Sequence, residues 1–316
     1  MSVELRTGYF LFDVDVELAW GFIDKDSIAK LSRLMRYMGR AARQALDRLT
    51  SLLNKYEIPV TWGIVGGLLV KDIDELMSII GETSSYDEVR TFYESRLQLT
   101  SFLSKGNPDA FYGQDVVNTI IDQVRESGVP HDIASHSLTH PVFNHSSCTR
   151  EIAKIELDIW LTLFRREYNL VPKVFLFPRD SISHLDVLRD RGFMAFRGRL
   201  KDVRYSIGTL RLVAPPTPHP FIEQGLVNVP GSFSLTGLNT LDLLCFKLTM
   251  RRGISKAIKK RGVFHVTTHL HNLAMRGFLK RIEELFSLVK RHTDEGLTPT
   301  TIRFIAPDIL ESAEKL

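Results

Sequence analysis

Three acids alternate with apolar residues in Phe12-Asp13-Val14-Asp15-Val16-Glu17, and two histidines lie four apart in His136-Ser-Leu-Thr-His140. At strand spacing Asp13, Asp15 and Glu17 project to one side. Three carboxylates on one face repel each other, so a cation belongs among them: a divalent metal, an Arg or a Lys. Tyr9, Phe10, Leu11 and Phe12 imply burial on both sides of that strand, against the plainer reading of a polar face in solvent. If His136 and His140 share one helical turn they face the same way, and could hold a metal through imidazole nitrogens. Alone the pair is a weak signal; its place directly after the apolar stretch 131–135 strengthens it.

Two further segments put polar side chains where strands should end. Phe175-Leu-Phe-Pro-Arg179-Asp180 places Arg179 just past a buried strand, where it would orient a carboxylate by a two-pronged hydrogen bond. The plainer reading is a surface Arg. His265-Val-Thr-Thr-His269-Leu-His271-Asn272 puts three histidines on alternate positions if the strand stays extended. Histidine near neutral pH is a natural proton donor to a leaving amine. His265 suits a core histidine bonded to backbone better than His269 or His271 do.

These residues need elements to position them. Apolar patterning predicts strands at 9–16, 58–65, 131–135, 173–177, 193–196, 263–268 and 300–305. Leu31, Leu34, Met38, Ala41, Ala45, Leu49 and Leu52 predict one long helix over 27–55. Further helices are expected at 149–168, with Thr149 as N-cap, and at 183–191, 240–261 and 278–292. Residues 71–127 show helical patterns broken at 105–108, and 204–234, with five prolines, read as loop and edge structure. Strand and helix alternate with no compositional break, which predicts a parallel sheet covered by helices. In such folds sites form at the C-terminal ends of strands. Four chemical segments at four strand ends converge only if the strands form one sheet or barrel.

Composition sets wide bounds. The 316 residues are 44% hydrophobic and 25% charged, enough for one large core. A net charge of +4, with no nucleic-acid-binding module, gives no argument for a nucleic-acid partner. Two distant cysteines, Cys148 and Cys245, suggest a reducing compartment, and no transmembrane segment or leader is read, so a cytoplasmic location is expected. Lys247, Arg251, Arg252, Lys256, Lys259, Lys260 and Arg261 form one acid-free basic run. It reads first as a solvated helix face, and otherwise as a weak contact with an anionic surface.

At these motifs the sequence resembles the polysaccharide deacetylases, the NodB-homology or carbohydrate esterase family 4 group. It is most similar to a branch with an Asp-x-Glu-Leu-x-Trp-Gly first motif, here Asp15 to Gly21. The stretches 58–66, 131–140, 177–180 and 263–273 match in order along nearly the whole chain. The resemblance implies an α/β fold, a distorted (β/α)7-type barrel, as a single domain over 1–316 with a helical insertion at about 71–127. It implies hydrolysis of an N- or O-acetyl group on a sugar or polysaccharide precursor, with a divalent metal, zinc first. His136 and His140 take the metal role. Asp15 matches the general base, with Asp13 as rival in a shifted frame and otherwise as a further candidate metal ligand. The family's metal-binding Asp would fall on Val16, so Glu17 is the replacement ligand, or Asp15 if the frame shifts to Asp13. Arg179 would orient the base. His269, with His271 as rival, would be the general acid. Two other readings stand: a metal-independent amide or ureide hydrolase on the same scaffold, and a non-catalytic carbohydrate-binding relative.

Overall fold

The strand that carries the acids is an interior strand, paired with three others. In a computed structural model, which describes residues 5–23, 28–83, 87–199, 215–236 and 240–314, β1 (Gly8–Val16) is buried along almost its whole length. After it come α1 (Ile28–Leu34), α2 (Gly39–Tyr56) and β2 (Thr61–Ile64). Four helices then precede the third strand: α3 (Ile73–Thr83), α4 (Asp87–Ser104), α5 (Pro108–Phe111) and α6 (Gln114–Glu126). The chain continues through β3 (Asp132–Ser135), α7 (Arg150–Tyr168), β4 (Val174–Leu176), α8 (Leu185–Asp190) and β5 (Ala195–Gly198). Three short strands follow, β6 (Phe221–Glu223), β7 (Leu226–Pro230) and β8 (Phe233–Ser234), then α9 (Thr240–Lys260) and β9 (Val263–His269). The last elements are α10 (Leu270–Leu273), α11 (Phe278–Arg291), β10 (Leu297–Thr300) and α12 (Ile302–Glu314).

The strands lie in the order β6-β7-β5-β4-β3-β2-β1-β9-β8, parallel except for the β6–β7 pair. One edge of β1 meets β9 along Tyr9 to Asp15. Its other edge is shared, β10 taking Gly8 to Leu11 and β2 taking Asp13 to Val16. Strands β6 and β8 do not pair, so hydrogen bonding does not close the barrel. The chain itself spans that gap: Gly231 N–H donates to Gly198 O and Ser232 N–H to His265 O. The result is the expected α/β fold, an incompletely closed, distorted barrel with helices around it.

Alternation along β1 divides the core. Phe10, Phe12, Val14 and Val16 pack against the outer helices. Leu11 lies on the inner face with Ala134, Val174, Leu176, Ala195, Val227, Val229 and Val263. Asp13 and Asp15 follow Leu11 on that inner face, so the acids point into the barrel.

Two sequence expectations change. The helix over 27–55 is broken: a 3-10 turn at Met35–Tyr37 separates α1 from α2, and residues 24–27 fall outside the described ones. The break frees α1 to place Lys30 and Leu34 over the cleft while α2 packs against α5, α6, α10 and α11. The final strand is Leu297–Thr300, not 300–305. From Ile302 onward the buried residues are Ile302, Ile305, Ala306 and Ile309, a helical period that a six-residue window holding Ile302, Phe304 and Ile305 does not distinguish from a strand. α12 covers the inner face with them. The loop and edge structure expected at 204–234 is found at the edge strands β6 and β8, but β7 is a buried strand paired on both sides, with β5 and β6; residues 204–214 lie outside the described ones.

Candidate functional site

β1 ends on Asp15 and Val16, and the chain turns at once through Leu18–Phe22, a 3-10 turn in which Leu18 has φ 44°. Trp20 anchors that turn: it is fully buried and its indole N–H donates to Phe111 O at 2.8 Å. Gly21 is required for a local reason. A Cβ there would lie 2.2 Å from Glu17 Oε1, so only glycine lets the Glu17 side chain fold back over the turn. The turn aims Glu17 at the histidines following β3.

His136 and His140 are not on a helix. They bound an irregular loop in which Ser137 has φ 63° and His140 φ 59°, so the assumption of a shared helical turn is corrected. The Ser137 hydroxyl donates to His136 O (2.6 Å) and accepts from His140 N–H (3.1 Å), tightening the loop. Gly66 N–H and Gly67 N–H, just after β2, donate to Ser137 O and Leu138 O. The rings meet edge-on, centroids 4.8 Å apart. Glu17, His136 and His140 each offer a ligand atom, all within 4.8 Å of one another and all buried.

The donor set fits a divalent cation. His136 Nδ1 donates to Leu176 O at 2.7 Å, which turns the lone pair of Nε2 toward Glu17. That Nε2 is buried with no hydrogen-bond partner, 3.5 Å from Glu17 Oε2. His140 Nε2 lies 2.8 Å from the same oxygen. Burial alone would raise the Glu17 pKa, but His269 and His140 hold it well below the usual carboxylate range. Burial pulls His140 down, favouring the neutral imidazole that a metal needs. Two imidazoles and a carboxylate are an ordinary set for zinc.

Asp15 lies beside this group. Both its oxygens are held by Arg197, Nη1 to Oδ1 and Nη2 to Oδ2, each at 2.8 Å. Burial would raise its pKa; the Arg197 charge outweighs that, with smaller help from His136 and His269, and brings it to about 2. Asp13 sits one step deeper. It is fully buried, 3.7 Å from Arg197 Nη1, and accepts from His265 Nε2 at 2.7 Å. Asp13 therefore lies outside the group of ligand atoms, and its place as a metal ligand is corrected: it shares the inner face with Asp15 but stands two residues back along β1, deeper in the barrel. His265 is a buried internal residue, as its pattern suggested.

The arginine differs from the expected one. Arg179, in the left-handed region at φ 54°, donates to Gly21 O at 3.0 Å and is not the partner of Asp15. The reason is topological: β5 pairs with β4, and Arg197 on its inner face points at Asp15 across the barrel. Sequence reading ended that strand at Phe196 and passed over Arg197. The missed signal was a lone charge closing an apolar strand, the same one that singled out Arg179.

β9 ends at His269, and α10 begins immediately, so His271 sits in a helical turn and not on the strand's face. His269, with 27% of its side chain exposed, faces the cleft, its Nε2 3.8 Å from Asp15 Oδ2 and 3.6 Å from Glu17 Oε1. His271 is buried edge-on to Phe22, and burial, then the His269 charge, lowers its pKa to about 4. Asp15, Glu17, His136, His140, Arg197, His269 and His271 open into one cleft of about 510 Å³, also lined by Phe22, Lys30, Leu34, Ser234, Thr236 and Met275. The basic run lies along α9 and its end. Most of its cations are exposed, and none lines the cleft.

No protein-family model matches the sequence, and no curated protein does either. Solved structures match through their fold. A protein described as a polysaccharide deacetylase from Mycobacterium smegmatis superposes with TM-score 0.61 at 14% identity, over 100% of this chain and 94% of that one. Puue allantoinase gives 0.58 at 11% identity over 97% and 90%. A protein described as a polysaccharide deacetylase from Pseudomonas aeruginosa PAO1 gives 0.57 at 11% over 97% and 91%. The chain thus has the fold of the polysaccharide deacetylases, a scaffold shared with an allantoinase. No helix among the described residues is long and apolar enough to cross a membrane.

Proposed function

We propose that this chain is a metal-dependent hydrolase that removes an acetyl group, N-acetyl first, from a sugar or glycan precursor. The observation that carries the reading is the convergence of Glu17, His136 and His140 within 4.8 Å of one another, next to the Asp15–Arg197 pair. Glu17, His136 and His140 would hold the cation, zinc first. When bound, it supplies Lewis-acid polarisation of the acyl group and acidifies water.

The chain's own residues account for the proton transfers. Arg197 keeps Asp15 ionised and fixed in plane, yet each Asp15 oxygen retains a lone pair. Asp15 is the general base that takes a proton from the attacking water. His269, at the cleft wall, gives a proton to the departing amine. A base that must be ionised and an acid that must be protonated give a bell-shaped pH profile. His271 is too buried to serve as that acid, and we assign it to packing the wall behind His269. Two free cysteines, Cys148 buried and Cys245 partly so, accord with a reducing compartment and an intracellular precursor as substrate.

One observation favours a second reading. Val16, where the resemblance places a metal-binding Asp, faces the outer helices, and Glu17 Oε2 lies within hydrogen-bond reach of His140 Nε2 at 2.8 Å. A Glu–His pair can relay protons alone, as a metal-independent amide or ureide hydrolase would require. Metal content of the purified protein, beside His136→Ala and His140→Ala, separates the two. Near-stoichiometric divalent metal, lost in both variants, supports the deacetylase. No metal, and no uptake on addition, rejects it in favour of the second reading.

A further inference from the structure

The loop that carries both histidines has no regular structure and two non-glycine residues at positive φ. Such backbone persists only where its surroundings over-determine it. The surroundings here are specific. Glu156, on the face of α7 turned inward, is fully buried. Its Oε2 accepts from Leu138 N–H and Thr139 N–H, both at 2.8 Å. Its Oε1 accepts from the Thr139 hydroxyl at 2.6 Å and the Tyr93 hydroxyl at 2.8 Å. One carboxylate thus takes three hydrogen bonds from the two residues between Ser137 and His140.

The carbonyl side of the same loop is held as well. Arg96 donates to Thr139 O (Nε at 3.2 Å, Nη2 at 2.7 Å) and to His140 O (Nη2 at 2.7 Å). Tyr93 and Arg96 are three residues apart on α4, hence neighbours on one helical face. No residue of 71–127 lines the cleft among those described. This segment still reaches the site, from behind, through these two side chains.

We propose that Glu156, braced by Tyr93 and Arg96, is a positioning residue. It presets the His136–His140 loop so that both imidazoles meet Glu17 before any ligand arrives. The segment 71–127 serves the site through this clamp. The inference rests on Glu17, His136 and His140 being a cation site. Outer partners that orient ligands typically change metal affinity by about 10–100-fold when removed.

The test uses the full chain with Zn²⁺ as probe. Affinity is measured by chelator competition, and hydrogen exchange of the Leu138, Thr139 and His140 amides is measured in the metal-free protein. Glu156→Leu removes every acceptor and should weaken Zn²⁺ about 10–100-fold, with exchange at Leu138 and Thr139 sharply faster. Glu156→Gln should stay within a few-fold of wild type: its carbonyl can accept both amides, and its NH₂ can meet the two hydroxyls. Arg96→Gln, less buried, carries the test if Glu156→Leu does not fold; it too should weaken Zn²⁺ and speed exchange at His140. Folded variants with wild-type affinity and wild-type exchange overturn the clamp, as does a loss of global stability with neither readout moved. Wild-type protein that takes up no Zn²⁺ overturns the cation reading instead. The exchange data then decide the clamp alone, faster loop exchange supporting it and unchanged exchange rejecting it.

Discussion

At the scale of single residues, the Arg197–Asp15 pair carries part of the stability and, in the proposed reaction, holds the base. Both groups are buried, and removing one partner of such a pair costs about 3–5 kcal/mol because the other charge is left uncompensated. Arg197→Met should therefore lose stability of that order in denaturant unfolding, along with activity. The pH dependence has a definite sign. Asp15 is depressed to about 2 from an ordinary 3.8, so its contribution is present above the ordinary value and fades as pH falls through the folded one. The gap between wild type and Arg197→Met should shrink from pH 5 toward pH 2; a constant gap would contradict the pairing. His269 and His271 divide differently. His269→Asn should lose about 10²–10⁴-fold in kcat with little change in stability. His271→Asn should do the reverse. The buried His271, depressed to about 4, is neutral in the folded state. Its stabilising effect is complete above the ordinary 6.5 and is lost as pH falls toward 4. The stability difference from His271→Asn, followed from pH 7 to 4.5, should decline on that course.

At the scale of elements, the site is made by what happens just past strand ends. After β1 the Trp20-anchored turn returns Glu17 toward the histidines, and Gly21 leaves the room for it. Gly21→Ala should weaken Zn²⁺ binding without touching a donor atom, because the new methyl occupies the space of the Glu17 carboxylate. Calorimetric titration checks this, and unchanged affinity would show that Glu17 does not need that position. Gly63 on β2 has a similar part: a Cβ there would come within 2.5 Å of Leu176 Cδ1, and Leu176 O is the acceptor for His136 Nδ1. The segments 12–21, 136–140 and 265–272 were legible as chemistry because acids and histidines beside buried apolar runs are out of place. Arg197 was less legible because the apolar pattern of its strand ends at Phe196, two residues before the strand does. Glu156 was not legible at all. It sits in an amphipathic helix among other charges, and only packing tells that its face is turned inward.

At the scale of the whole molecule, closing the inner face matters as much as the strands that build it. Ile302, Ile305, Ala306 and Ile309 of α12 cover the inner face with Leu11, Val174, Ala195 and Val227. Ile305→Ala should cost about 2–5 kcal/mol in denaturant unfolding, as other large-to-small changes in tight cores do. A change under 1 kcal/mol would mean that α12 is a loose appendage. The barrel is also bridged by Gly231 and Ser232, which join β7 to β8 across the gap, and β1 shares its second edge between β10 and β2.

Local chemistry determined much of this. Alternation along 9–16, the polar residues at strand ends and the helical periods of α7, α9 and α11 follow from side-chain type and spacing, so the α/β class and the segments that bring carboxylates and histidines to the candidate site could be read from the chain. Tertiary structure decided the rest. Which arginine meets Asp15, that Glu17 rather than Asp13 joins the histidines, and that Glu156 and Arg96 hold their loop are contacts between residues 17 to 182 positions apart. Such contacts leave no local period, because strand order and register alone bring their side chains together.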